Sequence, residues 1–237
     1  MDLKGLSDMQ LDALREIGNM GAATAATALN SLVKRRVEIS VPSIEVVPLE
    51  ELPSYFGGES ELITGVFLHL FGKIPGSVLL VFRRDDGLRL VDMLMGKPDG
   101  STKTLSGLDL SAFLESGNIL VGSYLTAIGN FFSTKFIPST PSIVFNIAGV
   151  IVDFIQMSVE QKVSHAIVVG TEFEVEGKRI KGEFVMLVGD KSLEEMLERL
   201  DSKIAEPKAA SAKKPAKKKA TKKKAKKSAK KKAKKKK

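Results

Sequence analysis

The chain has 237 residues, 43% of them hydrophobic and none cysteine: enough apolar content for a packed core, and no material for disulfides, thiolate metal sites or thiol catalysis. Its net charge of +9 is unevenly placed, because residues 207–237 hold 18 lysines and no acid, which leaves 19 basic residues against all 28 acids and a body near −9. The high isoelectric point therefore describes an appendage and excludes any inference of a basic folded surface.

In chain order, the sequence predicts a helix over residues 8–33, with Ser7-Asp8 as its cap and Leu11, Leu14, Gly18, Ala22, Ala25, Leu29 and Leu32 recurring at three- and four-residue steps. Residues 36–47 are rich in Val and Ile and predict an extended segment with an edge or bulge position at Pro42. The apolar runs 62–71 and 77–82, separated by Gly72-Lys73-Ile74-Pro75-Gly76, predict an antiparallel hairpin. A helix over 85–95 follows, with Leu88, Val91, Leu94 and Met95 inward and Gly96 as its stop, and then a linker over 97–105. The second half retraces the first: a helix over 109–132, extended chain over 142–155, a hairpin of 166–175 with 180–188, and a helix over 192–200. Each half offers a sheet too small to bury itself, so the expected fold is α+β, an internally duplicated, pseudo-two-fold domain with one antiparallel sheet packed by helices. This assigns residues 1–205 to one domain of two repeats, about 6–97 and 105–203, and residues 206–237 to a disordered Lys/Ala-rich tail.

A second signal is a repeated polar pattern. Asp12, Glu16, Asn19 and Pro42 recur 99 positions later as Ser111, Glu115, Asn118 and Pro141, with Ala13/Ala112, Thr27/Thr126, Ala28/Ala127 and Ser43-Ile44/Ser142-Ile143 in the same register. On a helix, positions i, i+4 and i+7 share one stripe, so each half presents an acid or hydroxyl, a carboxylate and an amide together. Small residues surround the stripe (Gly18, Gly21, Ala22 and Ala23 in one copy, Gly117 and Gly122 in the other), which predicts a bare helix open to close approach by another protein.

This spacing resembles the motif of the CheC-family phosphatases of bacterial and archaeal chemotaxis, over about residues 6–203. Related CheX proteins keep one working copy per chain and FliY proteins add flagellar-switch segments, so two motifs in a short chain favour the CheC branch. The resemblance implies hydrolysis of the aspartyl phosphate of the response regulator CheY. Asn19 and Asn118 would orient the attacking water, and Glu16 and Glu115 would contact the regulator's lysine and fix docking. It implies Pro42 and Pro141 in supporting roles with Asp12 and Ser111, no cofactor of the chain's own, and Mg2+ held by the partner CheY. The receptor deamidase CheD is an expected second partner. Chemically, an acyl phosphate is already reactive, so positioning and electrostatics matter more than a strong base. An amide can accept from water while donating to a phosphoryl oxygen.

Other motifs carry less. Gly72-Lys73 is not a phosphate loop, since Ile74 replaces the hydroxyl and Phe67 the first glycine. His69 and His165 lie alone in apolar strands and read as strand-face residues rather than metal ligands. Asp85-Asp86 and Glu194-Glu195 read as helix-start acids. The lysine tail reads as a solubilising extension, or as a non-specific element for nucleic acid or anionic surfaces. No stretch of 18 apolar residues and no basic-then-apolar leader occurs, so a soluble, cytoplasmic protein without a transmembrane segment is expected. The alternatives to a phosphatase are a non-enzymatic adaptor binding CheY or CheD, and a nucleic-acid-associated protein dominated by its tail.

Overall fold

Helix α1 runs Asp8–Val33, and its first turn is closed by a capping box: the Ser7 Oγ accepts from the Gln10 N–H at 3.3 Å, and the Gln10 Oε1 accepts from the Ser7 N–H at 2.8 Å. A computed structural model describes residues 6–158 and 161–205, and the lysine-rich segment lies outside the described residues. The chain continues as β1 (Val37–Pro48), a 3-10 turn (Leu49–Glu51), α2 (Leu52–Tyr55), β2 (Leu62–Phe71), β3 (Gly76–Arg83) and α3 (Arg84–Met95). The second half contributes α4 (Leu108–Phe132), β4 (Ile137–Pro138), β5 (Ser142–Ile147), α5 (Ala148–Ser158), β6 (His165–Val175), β7 (Lys178–Val188) and α6 (Asp190–Ala205).

All strand pairings are antiparallel, in the order β1-β6-β7-β3-β2, with β4 and β5 both on the far side of β2. This order reads the same from either end once β1 is matched to β4/β5, β2 to β6 and β3 to β7. The halves have exchanged their first strands: β1 pairs with the second hairpin and β5 with the first. Each half therefore supplies an edge for the other's hairpin, which is how two sheets too small to stand alone become one.

The prolines sit where the missing N–H does least harm. The β1–β6 register shifts between Ser40 and Ser43, placing Pro42 in a bulge of an edge strand, and Pro141 falls in the break between β4 and β5. Side chains alternate along the strands between two apolar layers. Val66, Leu68, Val78, Leu80 and Phe82 join Leu14, Ile17, Leu29, Leu120 and Tyr124 from α1 and α4. Ile63, Phe67, Leu79 and Val81 join Leu52, Phe56, Ile151 and Ile155 on the opposite face. The result is helices on both faces of the sheet.

Four expectations need correction. Residues 142–155 are not extended throughout: after β5 the chain turns into α5, where Ala148, Ile151, Val152 and Ile155 are buried at helical steps. The β-branched composition of this run suggested a strand, and packing against the sheet overrode it. Its counterpart, the turn and short helix over 49–55, was not foreseen either, so each half is helix, strand, short helix, hairpin, helix. Met95 is 41% and Leu32 49% exposed, since each lies at a helix end beyond the core. Glu194-Glu195 lie one turn inside α6, whose first turn carries Asp190 instead.

Candidate active site

Asp12, Glu16 and Asn19 lie on α1 and are all exposed, as are Ser111, Glu115 and Asn118 on α4. The structure thus brings the three helix positions of each copy onto one solvent-facing stripe. The Glu16, Asn19, Glu115 and Asn118 side chains make no hydrogen bond or ion pair with any described residue. Their polar atoms are therefore available to water or to a visitor.

The two stripes differ at their flanks. In the first, the Arg15 Nη1 donates to the Asp12 Oδ1 at 3.1 Å, and Asp12, Arg15, Glu16, Asn19, Met20 and Ala23 border one shallow, open depression. In the second, the Ser111 Oγ donates to the Gly107 carbonyl at 3.3 Å, so this hydroxyl is turned to its own helix start. Leu114 and Ile119 stand where the first copy has Arg15 and Met20. Arg15 was not singled out in the sequence, although its three-residue step from Asp12 is a recognisable ion-pair spacing.

The small residues around the stripes serve a different purpose from the one expected. Gly18, Gly21, Ala22 and Gly117 are buried. A Cβ on Gly18 would stand 3.3 Å from Val41 Cγ1, one on Gly21 would stand 3.1 Å from Tyr124 Cα, and one on Gly117 would stand 2.9 Å from Val66 Cβ. They let α1 and α4 lie close on the sheet and on each other. Only Ala23 and Gly122 face outward, and a Cβ on Gly122 would meet nothing within 4 Å. Val41 lies under Gly18 and precedes Pro42, which explains how a helix motif acquires a fourth position 23 residues downstream: the following strand passes beneath the helix.

Residues 9–46 and 109–145 match the CheC-like family, and each segment contains one full copy of the pattern. The chain is 30% identical over 204 residues to the CheY-P phosphatase CheC of Bacillus subtilis, covering 84% of this chain and 98% of that protein. The chain belongs to the CheC-like family. It is also 32% identical over 143 residues to the flagellar motor switch phosphatase FliY of B. subtilis, covering 60% of this chain and 37% of that one. The crystal structure of Thermotoga maritima FliY has the same fold, with a TM-score of 0.65 and 24% identity over 84% of this chain and 98% of that chain.

Among the described residues, no group of three or more His, Asp or Glu is placed to hold a metal ion, and His69 and His165 remain isolated from each other on β2 and β6. No described helix is long and apolar enough to cross a membrane.

Proposed function

We propose that this CheC-family chain dephosphorylates the aspartyl phosphate of phosphorylated CheY, using two sites. Asn19 and Asn118 orient water in line with the phosphorus: the amide oxygen accepts from the water while the amide nitrogen donates to a phosphoryl oxygen. Glu16 and Glu115, one turn earlier, contact a lysine of the regulator and set the docking angle. The magnesium ion belongs to the regulator's own acidic pocket. The observation that carries this reading is that each half presents a solvent-facing Glu and Asn with no partner among the described residues. The names of its B. subtilis relatives, CheY-P phosphatase and motor switch phosphatase, agree with it. CheD is proposed as a second partner on the family resemblance alone.

The test follows the decay of phosphorylated CheY with the intact chain and with Asn19→Ala plus Asn118→Ala. The double substitution is expected to remove about a hundredfold of any acceleration, the scale of losing correct reactant placement. Acceleration unchanged by the double substitution refutes the assignment of the asparagines. Binding of CheY with no acceleration by the intact chain refutes the phosphatase and leaves the adaptor reading.

A further inference from the structure

The duplication supplies an internal control for surface exposure. Strands β1 and β5 occupy matching positions at the two sheet edges, yet Ile44 on β1 is 6% exposed, while its counterpart Ile143 on β5 is 37% exposed and the next residue on that face, Phe145, is 57% exposed. The cause is helix placement. Gly18 seats α1 on Val41 of the edge strand β1 as well as on Val169 of β6, whereas the nearest atoms to Gly117 on α4 all belong to Val66 of β2, the counterpart of β6. The helix-facing side of β5 is thereby left open.

Beside it lies an apolar groove of about 290 Å³, walled by Leu88, Leu105, Leu110, Ile143 and Phe145. Its floor holds Thr64, only 1% exposed, whose Oγ1 has no hydrogen-bond partner. Thr64 pairs with Phe145 in the sheet, and the matching pair in the other half is Ile167 with Val46, so a hydroxyl stands here in place of an apolar side chain. An unpaired buried hydroxyl costs stability unless something satisfies it. Two cations line the groove as well. Arg84 already donates to Asp85 and to the Lys103 carbonyl, while the Lys103 ammonium has no partner among the described residues.

The edge itself is unguarded. Strand β1 carries Glu38, Glu45, Pro42 and a bulge, the devices that keep edge strands from pairing with strangers. Strand β5, Ser142–Ile147, has no charge, no proline and no glycine, and its outer side pairs with no described strand. Open N–H and C=O groups beside exposed apolar side chains are what strand addition uses.

We propose that an acidic, extended segment of a partner protein adds as a strand to the outer edge of β5, covers Ile143 and Phe145, and sets its carboxylates against Lys103 and Arg84. A second copy of this chain fits less well, because it would bring the same two cations to the contact.

The probe is a fluorescein-labelled synthetic octapeptide alternating Glu with Val or Phe, titrated by anisotropy into the full chain, with a Lys-for-Glu version as control. The lysine-rich tail attracts any acidic peptide, but that attraction is indifferent to a neutral change on β5. Phe145→Ser is expected to weaken binding about tenfold or more, and Lys103→Glu about fivefold. The Lys version is expected not to bind, and amide exchange at Ile143–Ile147 is expected to slow when the acidic peptide is present. Affinity unchanged in Phe145→Ser, or no protection at β5, overturns the proposal. A concentration-dependent dimer that Phe145→Ser abolishes also overturns it, since the occupant is then a second copy. CheY-P decay unaltered by Phe145→Ser keeps this outcome separate from that of the phosphatase reading.

Discussion

Glu183 is a carboxylate that the fold holds at a disadvantage. It lies on β7 between Val81 of β3 and Gly170 of β6, and burial pushes its pKa from 4.5 up to about 7, with Asp86 adding to the rise and Arg83 and Lys181 opposing it. Below the unfolded value both states carry the proton, and Glu183 costs nothing. Between 4.5 and 7 the native state keeps the proton that the unfolded chain has released, so stability falls as pH rises through this window and levels off above it. A shift from 4.5 to 7 corresponds to roughly 3 kcal/mol at about 1.36 kcal/mol per unit. Because the side chain is only half-buried, solvent screening reduces this to about 1–2 kcal/mol. The assay is urea unfolding of the wild type and Glu183→Gln at pH 5 and pH 8.5. The substitution is expected to be close to neutral at the lower pH and to raise the midpoint at the higher pH by about 0.5–1 M, for a urea m-value of about 2 kcal/mol/M. Comparing the two proteins at each pH cancels every other titrating group. If the difference between them is the same at both pH values, or Glu183→Gln destabilises more at pH 8.5, the reasoning is refuted.

Asp92 is the opposite case. Burial raises its pKa, but hydrogen bonds from Thr102 and Ser101 outweigh that and hold it below the ordinary carboxylate range. The Thr102 Oγ1 donates at 2.6 Å, the Thr102 N–H at 3.1 Å and the Ser101 Oγ at 2.9 Å, tying the segment between the halves to α3. Asp92→Ala should cost about 2–3 kcal/mol at pH 7 by urea unfolding, and the wild-type advantage should fade as acid protonates Asp92. Gly117→Ala should cost about 1–3 kcal/mol by driving a methyl into Val66. Gly122→Ala, with open space around it, should instead gain up to about 1 kcal/mol of helix stability by thermal melting. Arg15→Ala in an Asn118→Ala background should slow CheY-P decay, whereas Leu114→Ala in an Asn19→Ala background should not act through charge. Equal effects at low and high ionic strength would count against an electrostatic role for Arg15. Removing residues 207–237, with their 18 lysines, should abolish salt-sensitive retention on DNA and leave CheY-P decay in place.

The local signals were strong wherever the chain's own chemistry fixes a conformation. Ser7 marks the start of α1, Gly96 takes the left-handed φ of 71° that ends α3, and the two hairpins follow from apolar runs flanking turn residues. The recurrence of Glu16/Asn19 as Glu115/Asn118 located both candidate stripes, because seven residues along a helix return to the same face whatever lies beneath it. What the opposite face does was not legible. Gly18, Gly21 and Gly117 read as bareness, and only the sheet beneath them and the neighbouring helix show that they are close-contact surfaces. The run 148–155 likewise carries strand-like composition, and it coils because its buried residues Ala148, Ile151, Val152 and Ile155 meet one face of the sheet at helical steps. The exchange of first strands between halves, and the covered helix-facing side of β1 against the open one of β5, depend on how strands, α1 and α4 come to rest together. That is a balance of contacts between residues about a hundred positions apart, and no local window of sequence contains both sides of it.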